Sequence, residues 1–487
     1  MATDGISSYR TQLFINNEYV DAKSGKTLDV YNPTDESLVC KGVHIAGEAD
    51  VDAAVDAAVA AFKKGPWNTY TAVQRSAVMN KFADLIESRV AEFVRLETLA
   101  MGGSYGVQSY AWGLAARCFR YYAGWTDKLA GEVYPPENGE YRMVRYEPLG
   151  VCAGIGAWNG SSMLFAWKCA PALAAGNVFI FKASEKSPLG IVALGDLIKE
   201  AGFPPGVIQI VNGAGETGGL LASHMKINKI SFTGSINAGR KVQEAATKSN
   251  LKRCTLELGG KSPALVFNDC NLQNAVEKCA LGVLMNSGQV CSAATRPLVQ
   301  EEIAPKFIEL LKQQFVGAGS TLGADPLKPE TLFGPLADKA QFESVMSFIE
   351  SGKSKSGGEL LVGGNKVGEK GFFVSPAIFL NPDLDSDIYK KEIFGPVAAI
   401  RTFKTEEEAI ELANDTTYGL SACVYTTNIA KALRVAGKLE AGTVAINNAF
   451  VPSIEVPFGG YKMSGIGRES GRHGLMAYVE VKTISIK

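Results

Sequence analysis

The chain has only three histidines, His44, His224 and His473, in 487 residues. They lie far apart in sequence, so no histidine-based metal site is expected. Charge imbalance is missing too. Lysine and arginine total 49 against 50 acidic residues, a formal net charge of −1, which leaves no basic excess to attract nucleic acid or an anionic membrane. No apolar run approaches the ~20 residues of a membrane-spanning helix. Met1 to Arg10 is polar and lacks the apolar core of a signal peptide, which argues against secretion. The ending Ser485-Ile486-Lys487 is not the Ser-Lys-Leu peroxisomal address. None of the nine cysteines stands in a Cys-x-x-Cys pair, as expected of reduced thiols in the cytoplasm. At 46% hydrophobic and 20% charged, the chain is globular and long enough for two or three domains.

One cysteine stands out. Asn286-Ser287-Gly288-Gln289-Val290-Cys291 breaks an apolar helical run at a glycine, and the small residues Ser292-Ala293-Ala294 follow. Glycine permits positive φ and close approach to a ligand, and a thiolate is a strong nucleophile. Spacing alone still favours a small buried hydrophobe at position 291.

Residues 13–31 read as short strands closed by Asn32-Pro33. Helical periodicity runs from Asp50 through Val51, Val55, Ala58 and Phe62 to Gly65-Pro66, then over 73–87 and 90–101. Gly102-Gly103-Ser104-Tyr105-Gly106 matches the Gly-x-Ser-x-Gly nucleophile elbow. That elbow needs a strand before its serine; a helix precedes this one, so a helix-ending turn is predicted and a serine hydrolase is not. Residues 141–146 alternate as a strand outside the core. From Gly150, strands at 151–158, 178–182, 207–211 and 227–233 alternate with helices at 163–175, 188–201 and from about Asn237. Such alternation predicts a parallel sheet covered on both faces, with ligands at the carboxyl ends of its strands. A second α/β unit follows Glu257, through about residue 446. The tail, 478–486, is strand-like and should pair with something, since an open apolar edge is an aggregation hazard.

Two glycine-rich turns compete for a dinucleotide. Gly213-Ala214-Gly215-Glu216-Thr217-Gly218 fits Gly-x-Gly-x-x-Gly, but no acidic residue closes a second strand ~20 residues on. Phe232-Thr233-Gly234-Ser235 joins a strand to a helix whose amides can meet a phosphate.

Gly288-Gln289-Val290-Cys291, Leu256-Glu257-Leu258-Gly259-Gly260-Lys261-Ser262-Pro263 and Glu392-Ile393-Phe394-Gly395-Pro396-Val397 resemble the three signatures of the NAD(P)-dependent aldehyde dehydrogenase superfamily, in its order. The likeness runs from about Phe14 to Ile486. Gly156-Ala157-Trp158-Asn159, Trp167-Lys168-Cys169-Ala170-Pro171 and Glu455-Val456-Pro457 are similar to the betaine and aminoaldehyde branch. The resemblance implies an α/β fold with a Rossmann-type coenzyme domain (1–130 and 149–258), a second α/β catalytic domain (259–451) and a small β oligomerisation element (131–148 and 470–487). It implies a homodimer or homotetramer.

It also implies NAD-dependent oxidation of an aldehyde to an acid through a thiohemiacetal and thioester on Cys291. Glu257 is then the hydrolytic base, Asn159 an oxyanion donor and Lys168 a proton relay. Trp158, Lys182, Glu185, Gly234, Ser235, Glu392 and Phe394 hold the coenzyme, which favours the second glycine turn. A carboxylate at Glu185 suits a free ribose 2′-hydroxyl, hence NAD rather than NADP. Gly160, Trp167, Val290, Ser292 and Glu455 line the substrate pocket. From their own neighbours alone, Asn159 reads as a turn residue, and Glu185 and Glu257 equally well as surface carboxylates. Two alternatives remain: a coenzyme A-acylating relative, which usually lacks the glutamate at 257, and a catalytically retired structural protein. The branch's aromatic after Trp-Asn is Gly160 here, its next proline is Ser161, and its acidic residue in Leu-Asp-x-Gly-Lys is Ala100. These departures predict a wider, less anionic pocket suited to bulkier neutral or aromatic aldehydes.

Overall fold

Valine, isoleucine and phenylalanine are concentrated in short runs that have no polar alternation, and these runs form the buried strands of two large sheets. The computed structural model describes residues 9–487; of the polar opening Met1 to Arg10, residues 1–8 lie outside the described residues. The first sheet has the order Glu18–Val20, Leu13–Ile15, Ile208–Asn212, Val178–Ala183, Val151–Ile155, Lys229–Thr233, Arg253–Glu257, Gly465–Ile466. The five strands from Ile208–Asn212 to Arg253–Glu257 pair in parallel. All but the last are buried at every residue, as strands covered on both faces must be.

The strand order reverses beside Val151–Ile155. The next two strands, Val178–Ala183 and Ile208–Asn212, go to one side, and Lys229–Thr233 and Arg253–Glu257 to the other. Loops leaving the carboxyl ends part there and open a crevice. Register places Ile155 beside Phe232 and Thr233 beside Glu257 at its floor.

The second sheet has the order Glu359–Val362, Ala377–Leu380, Val397–Phe403, Arg296–Gln300, Pro263–Val266, Ser421–Tyr425, Thr443–Ile446, parallel except at its first pair. The tail, Val479–Ile486, pairs antiparallel with Glu140–Pro148 of the same chain, and Glu132–Glu137 completes a three-stranded sheet. The tail strand therefore finds a partner inside the chain. Among the described residues no helix is long and apolar enough to cross a membrane.

Several boundaries differ from those predicted. The strand from Val151 stops at Ile155, and Trp158–Gly160 curls into a single 3₁₀ turn. The register ends at Ile155 opposite Lys182, and Gly156 N–H donates the last bond to that strand, to Lys182 O at 3.1 Å. The following helix is Ser161–Ala174. Helix Tyr105–Ala123 was not anticipated: it buries residues on most faces and carries Gly106 and Gly113, so it shows little polar stripe. Strand Arg253–Glu257, which carries Glu257, was also missed, because five residues with charge at both ends have no clear period. Helix Val90–Met101 ends at Gly102 with φ +78°, and Ser104 precedes Tyr105–Ala123. The Gly-x-Ser-x-Gly stretch is thus the turn between two helices.

Candidate active site

Helix Leu272–Leu284 stops just before the candidate nucleophile, and Asn286, Ser287 and Gly288 then take φ of 50°, 55° and 74°. A left-handed serine costs ~1–3 kcal/mol and must be held from outside. Ser287 Oγ donates to Gly334 O at 2.6 Å. Gln289 Nε2 donates to Asn286 O at 3.0 Å, and its Oε1 accepts from Ala337 N at 2.9 Å. At Gly288 any Cβ would strike the Gly395 carbonyl. The Glu392–Val397 segment thus packs against the turn that presents Cys291.

Cys291 lines a cavity of about 360 Å³ over the crevice of the first sheet, together with Asn159, Glu257 and Glu392. That volume suits a small-molecule site. Burial, then the nearby Glu392 and Glu257 carboxylates, push the thiol up to about 12. This surrounding does not activate a resting thiolate; the thiol holds its proton until a base removes it. Asn159 sits in the 3₁₀ turn after Val151–Ile155, and its Nδ2 donates to Gln289 O at 3.1 Å.

Glu257 ends its strand at 3% exposure, and neither carboxyl oxygen has a partner. Burial, and then Glu469, hold this carboxyl well above the usual carboxylate range against the pull of Lys168 and Arg468. Desolvation of this kind makes a carboxylate a stronger base. Lys168 itself does not line the cavity. Its Nζ donates to Glu469 Oε1 at 2.5 Å and to Thr233 Oγ1 at 2.7 Å, and Ser231 Oγ donates to the same Glu469 oxygen at 2.8 Å. Glu469 does line it, with Oε2 unpartnered. Sequence reasoning missed Glu469, which stands in Arg468-Glu469-Ser470-Gly471 without a recognisable motif.

The opposite wall holds several of the residues expected at the coenzyme. Glu392 Oε1 accepts from Gly260 N at 3.1 Å. Burial raises its carboxyl to about 7, against the Gly260 N–H and Lys261. Phe394 has φ 56° and meets Trp158 edge-to-face at 5.3 Å. Gly234 and Ser235 line the cavity where Lys229–Thr233 gives way to helix Ile236–Lys248, whereas none of Gly213 to Gly218 does. Lys182 and Glu185 lie farther out: Lys182 Nζ donates to Glu185 Oε2 at 3.5 Å, and Glu185 borders a separate surface cleft.

Gly160, Trp167, Val290 and Ser292 line the cavity with Tyr110, Met163 and Phe458, which the sequence reading did not single out. A Cβ at Gly160 would meet only the Met163 methyl, at 3.4 Å. Trp167 packs against Phe458 at 5.4 Å. Glu455 is not brought to this pocket: it is exposed and bonded to Ser453. Ala100 is not there either; it is buried beside the cleft of Glu185 and Lys186. Position 100 borders that cleft and not the cavity, so the expected loss of charge from the pocket does not follow.

The sequence profile of the Aldehyde dehydrogenase family matches residues 19–484. This chain belongs to that family. It is 46% identical over 481 residues to Aldehyde dehydrogenase 1A1 of Gallus gallus, covering 98% of this chain and 93% of the other. It is also 46% identical over 485 residues to Retinal dehydrogenase 2 of Homo sapiens, at 98% and 92% coverage. Its fold matches the NAD+ complex of the Bacillus cereus aldehyde dehydrogenase with a TM-score of 0.95 at 40% identity, over 98% and 96% of the two chains.

The buried Lys168–Glu469 pair holds this family member's crevice together. Removing one partner of a buried ion pair costs ~3–5 kcal/mol. Lys168→Met should therefore lower the unfolding free energy by about that much in urea melts, and adding Glu469→Met should recover part of the loss. A single variant as stable as the parent would contradict the assignment.

Proposed function

We propose that this aldehyde dehydrogenase uses NAD to oxidise a bulky, uncharged aldehyde to its carboxylic acid, with Cys291 as nucleophile. The observation that carries this reading is one apolar cavity holding the thiol, an unpartnered Glu257 carboxyl and the Asn159 amide together. The residues fit a dinucleotide. Ser235 caps helix Ile236–Lys248 at the cavity, leaving first-turn amides for a phosphate. At Gly259 a Cβ would collide with the Glu392 carboxyl, so this glycine keeps room for an acceptor of ribose hydroxyl protons. Trp158 and Phe394 add aromatic walls, and Lys182 with Glu185 suits the adenine ribose. Bound there, NAD supplies the hydride acceptor.

The Cys291 thiol gives its proton to water in the cavity, and its sulfur adds to the aldehyde carbon. The second Nδ2 hydrogen of Asn159 and the Cys291 backbone N–H then meet the developing oxyanion, a contact commonly contributing ~3 kcal/mol per donor. After oxidation the thioester is opened by water, whose proton Glu257 accepts. Its raised basicity serves that transfer. Lys168 and Glu469, whose charges act on the Glu257 carboxyl, are the relay for its proton in this reading. The glutamate at 257 favours hydrolysis over acyl transfer to coenzyme A, and the intact set argues against a retired structural protein.

Residues 1–130 and 149–258 form the coenzyme unit in this reading, and 259–451 the catalytic unit. The three-stranded sheet has two open edges with exposed Val133, Tyr134, Val481 and Ile486, which supports a role in joining subunits into a dimer or tetramer. Nine unpaired cysteines support a reducing, cytoplasmic location.

Cys291→Ala should abolish NADH formation while NAD still binds within about threefold of the parent, because only the nucleophile is lost. Turnover within tenfold of the parent would remove Cys291 from the mechanism. Coenzyme preference tests the ribose contact: kcat/KM should be at least about tenfold higher with NAD than with NADP, since Glu185 repels a 2′-phosphate. Equal use of the two would contradict it. Gly160→Tyr fills the space beside Met163 and should cut kcat/KM for bulky aromatic aldehydes about tenfold while sparing acetaldehyde. An unchanged substrate profile would mean that residue 160 does not shape the pocket.

A further inference from the structure

Helix Val90–Met101 carries a carboxyl that the chemistry above does not use. Glu97 is 1% exposed, and burial pushes it up to about 8. Its Oε2 lies 3.1 Å from Ser161 Oγ, and Ser161 Oγ lies 2.7 Å from Ser187 Oγ. Ser187 Oγ in turn donates to the Trp158 carbonyl at 3.3 Å, and Ser161 Oγ itself lies 3.4 Å from that carbonyl. Ser161 and Ser187 are 4% and 0% exposed, so water does not compete for these groups. Trp158 opens the 3₁₀ turn Trp158–Gly160 that carries Asn159, and Ser161 begins the helix that leaves it.

This turn needs an external hold. Gly160 adds no side chain to fix it, and Ser161 has φ −48° without proline's ring to enforce it. Counting protons sets the direction of the chain. Two serine hydroxyls have two protons to give, against three acceptors: the carboxyl, the other hydroxyl and the Trp158 carbonyl. A neutral carboxyl brings the third proton. Glu97 then donates to Ser161, Ser161 to Ser187, and Ser187 to Trp158, while Glu97 Oε1 has no partner. Away from water, each link that is made counts for more than it would in solvent.

We propose that Glu97 is a positioning residue, which through Ser161 and Ser187 fixes the Trp158 carbonyl and so aims the Asn159 amide at the reacting carbonyl. The inference rests on Asn159 as an oxyanion donor. It adds a residue on a different helix that touches neither substrate nor coenzyme.

The test compares Ser161→Ala, Ser187→Ala, Glu97→Leu, Glu97→Gln and Asn159→Ala in the full-length enzyme, by steady-state kinetics and NAD titration. Ser161→Ala should lower kcat about tenfold, a fraction of the loss on deleting an oxyanion donor. NAD affinity and thermal midpoint should stay near parental. Glu97→Gln, whose amide can still donate to Ser161, should retain most of the activity that Glu97→Leu loses. If Glu97→Leu does not fold, Ser161→Ala and Ser187→Ala carry the test. Adding Ser187→Ala to Ser161→Ala should cost little more, since one broken link interrupts the chain. A folded Ser161→Ala with kcat within twofold of the parent overturns the proposal, as does a Glu97→Gln as impaired as Glu97→Leu. Asn159→Ala separates the two readings: parental kcat there overturns the oxyanion role and this proposal together, whereas a large loss with unaffected Ser161→Ala overturns this proposal alone.

Discussion

The ion pair between Lys168 and Glu469 ties together parts of the chain that lie 301 residues apart. Lys168 comes from the helix leaving the Asn159 turn, and Ser231 and Thr233 from a central strand. Glu469 comes from a late segment that returns to the first sheet after the second is complete. Fixing Glu469 there accompanies three other contacts. Gly465–Ile466 pairs against Leu256 and Glu257, Phe458 pairs with Glu469 across a short bridge, and Phe458 reaches Trp167 on the cavity wall. A charge taken out of water must be matched, and matching this lysine closes the crevice on one side.

Burial then sets the chemistry. A desolvated carboxyl at Glu257 and a desolvated thiol at Cys291 both hold their protons more tightly than in water. In the proposed reaction Glu257 is thereby strong enough a base to take a proton from water, and the thiol stays protonated when no base acts on it. The left-handed turn from Asn286 to Gly288 brings the thiol there at a backbone cost that only the surrounding hydrogen bonds can offset.

Much of this was legible in the residues. The alternating apolar runs gave the parallel sheet, and the glycine before Gln289-Val290-Cys291 marked a position where a side chain cannot fit. The failed match at Ser104 was decided by its helical context alone. Resemblance was needed for Asn159 and Glu257, because an amide in that position reads first as a turn residue, and a carboxylate between leucines reads equally well as a surface group. Glu469 was invisible, since its partners lie in distant segments and only folding joins them. Glu455 and Ala100 misled for the opposite reason: each sits in a recognisable motif, yet one faces solvent and the other a different cleft. Local pattern reports which residues are present, and the direction of a side chain is set by packing that the pattern does not contain.

The central claim is that carbon–sulfur bonding at Cys291 precedes hydrolysis by Glu257. The direct measurement is acid quenching of Glu257→Gln after mixing with NAD and an aromatic aldehyde, followed by peptide mass mapping. The account predicts one acyl group per chain, on the peptide containing Cys291, formed together with about one equivalent of NADH. No adduct, or an acyl group on any of the other eight cysteines, would contradict it.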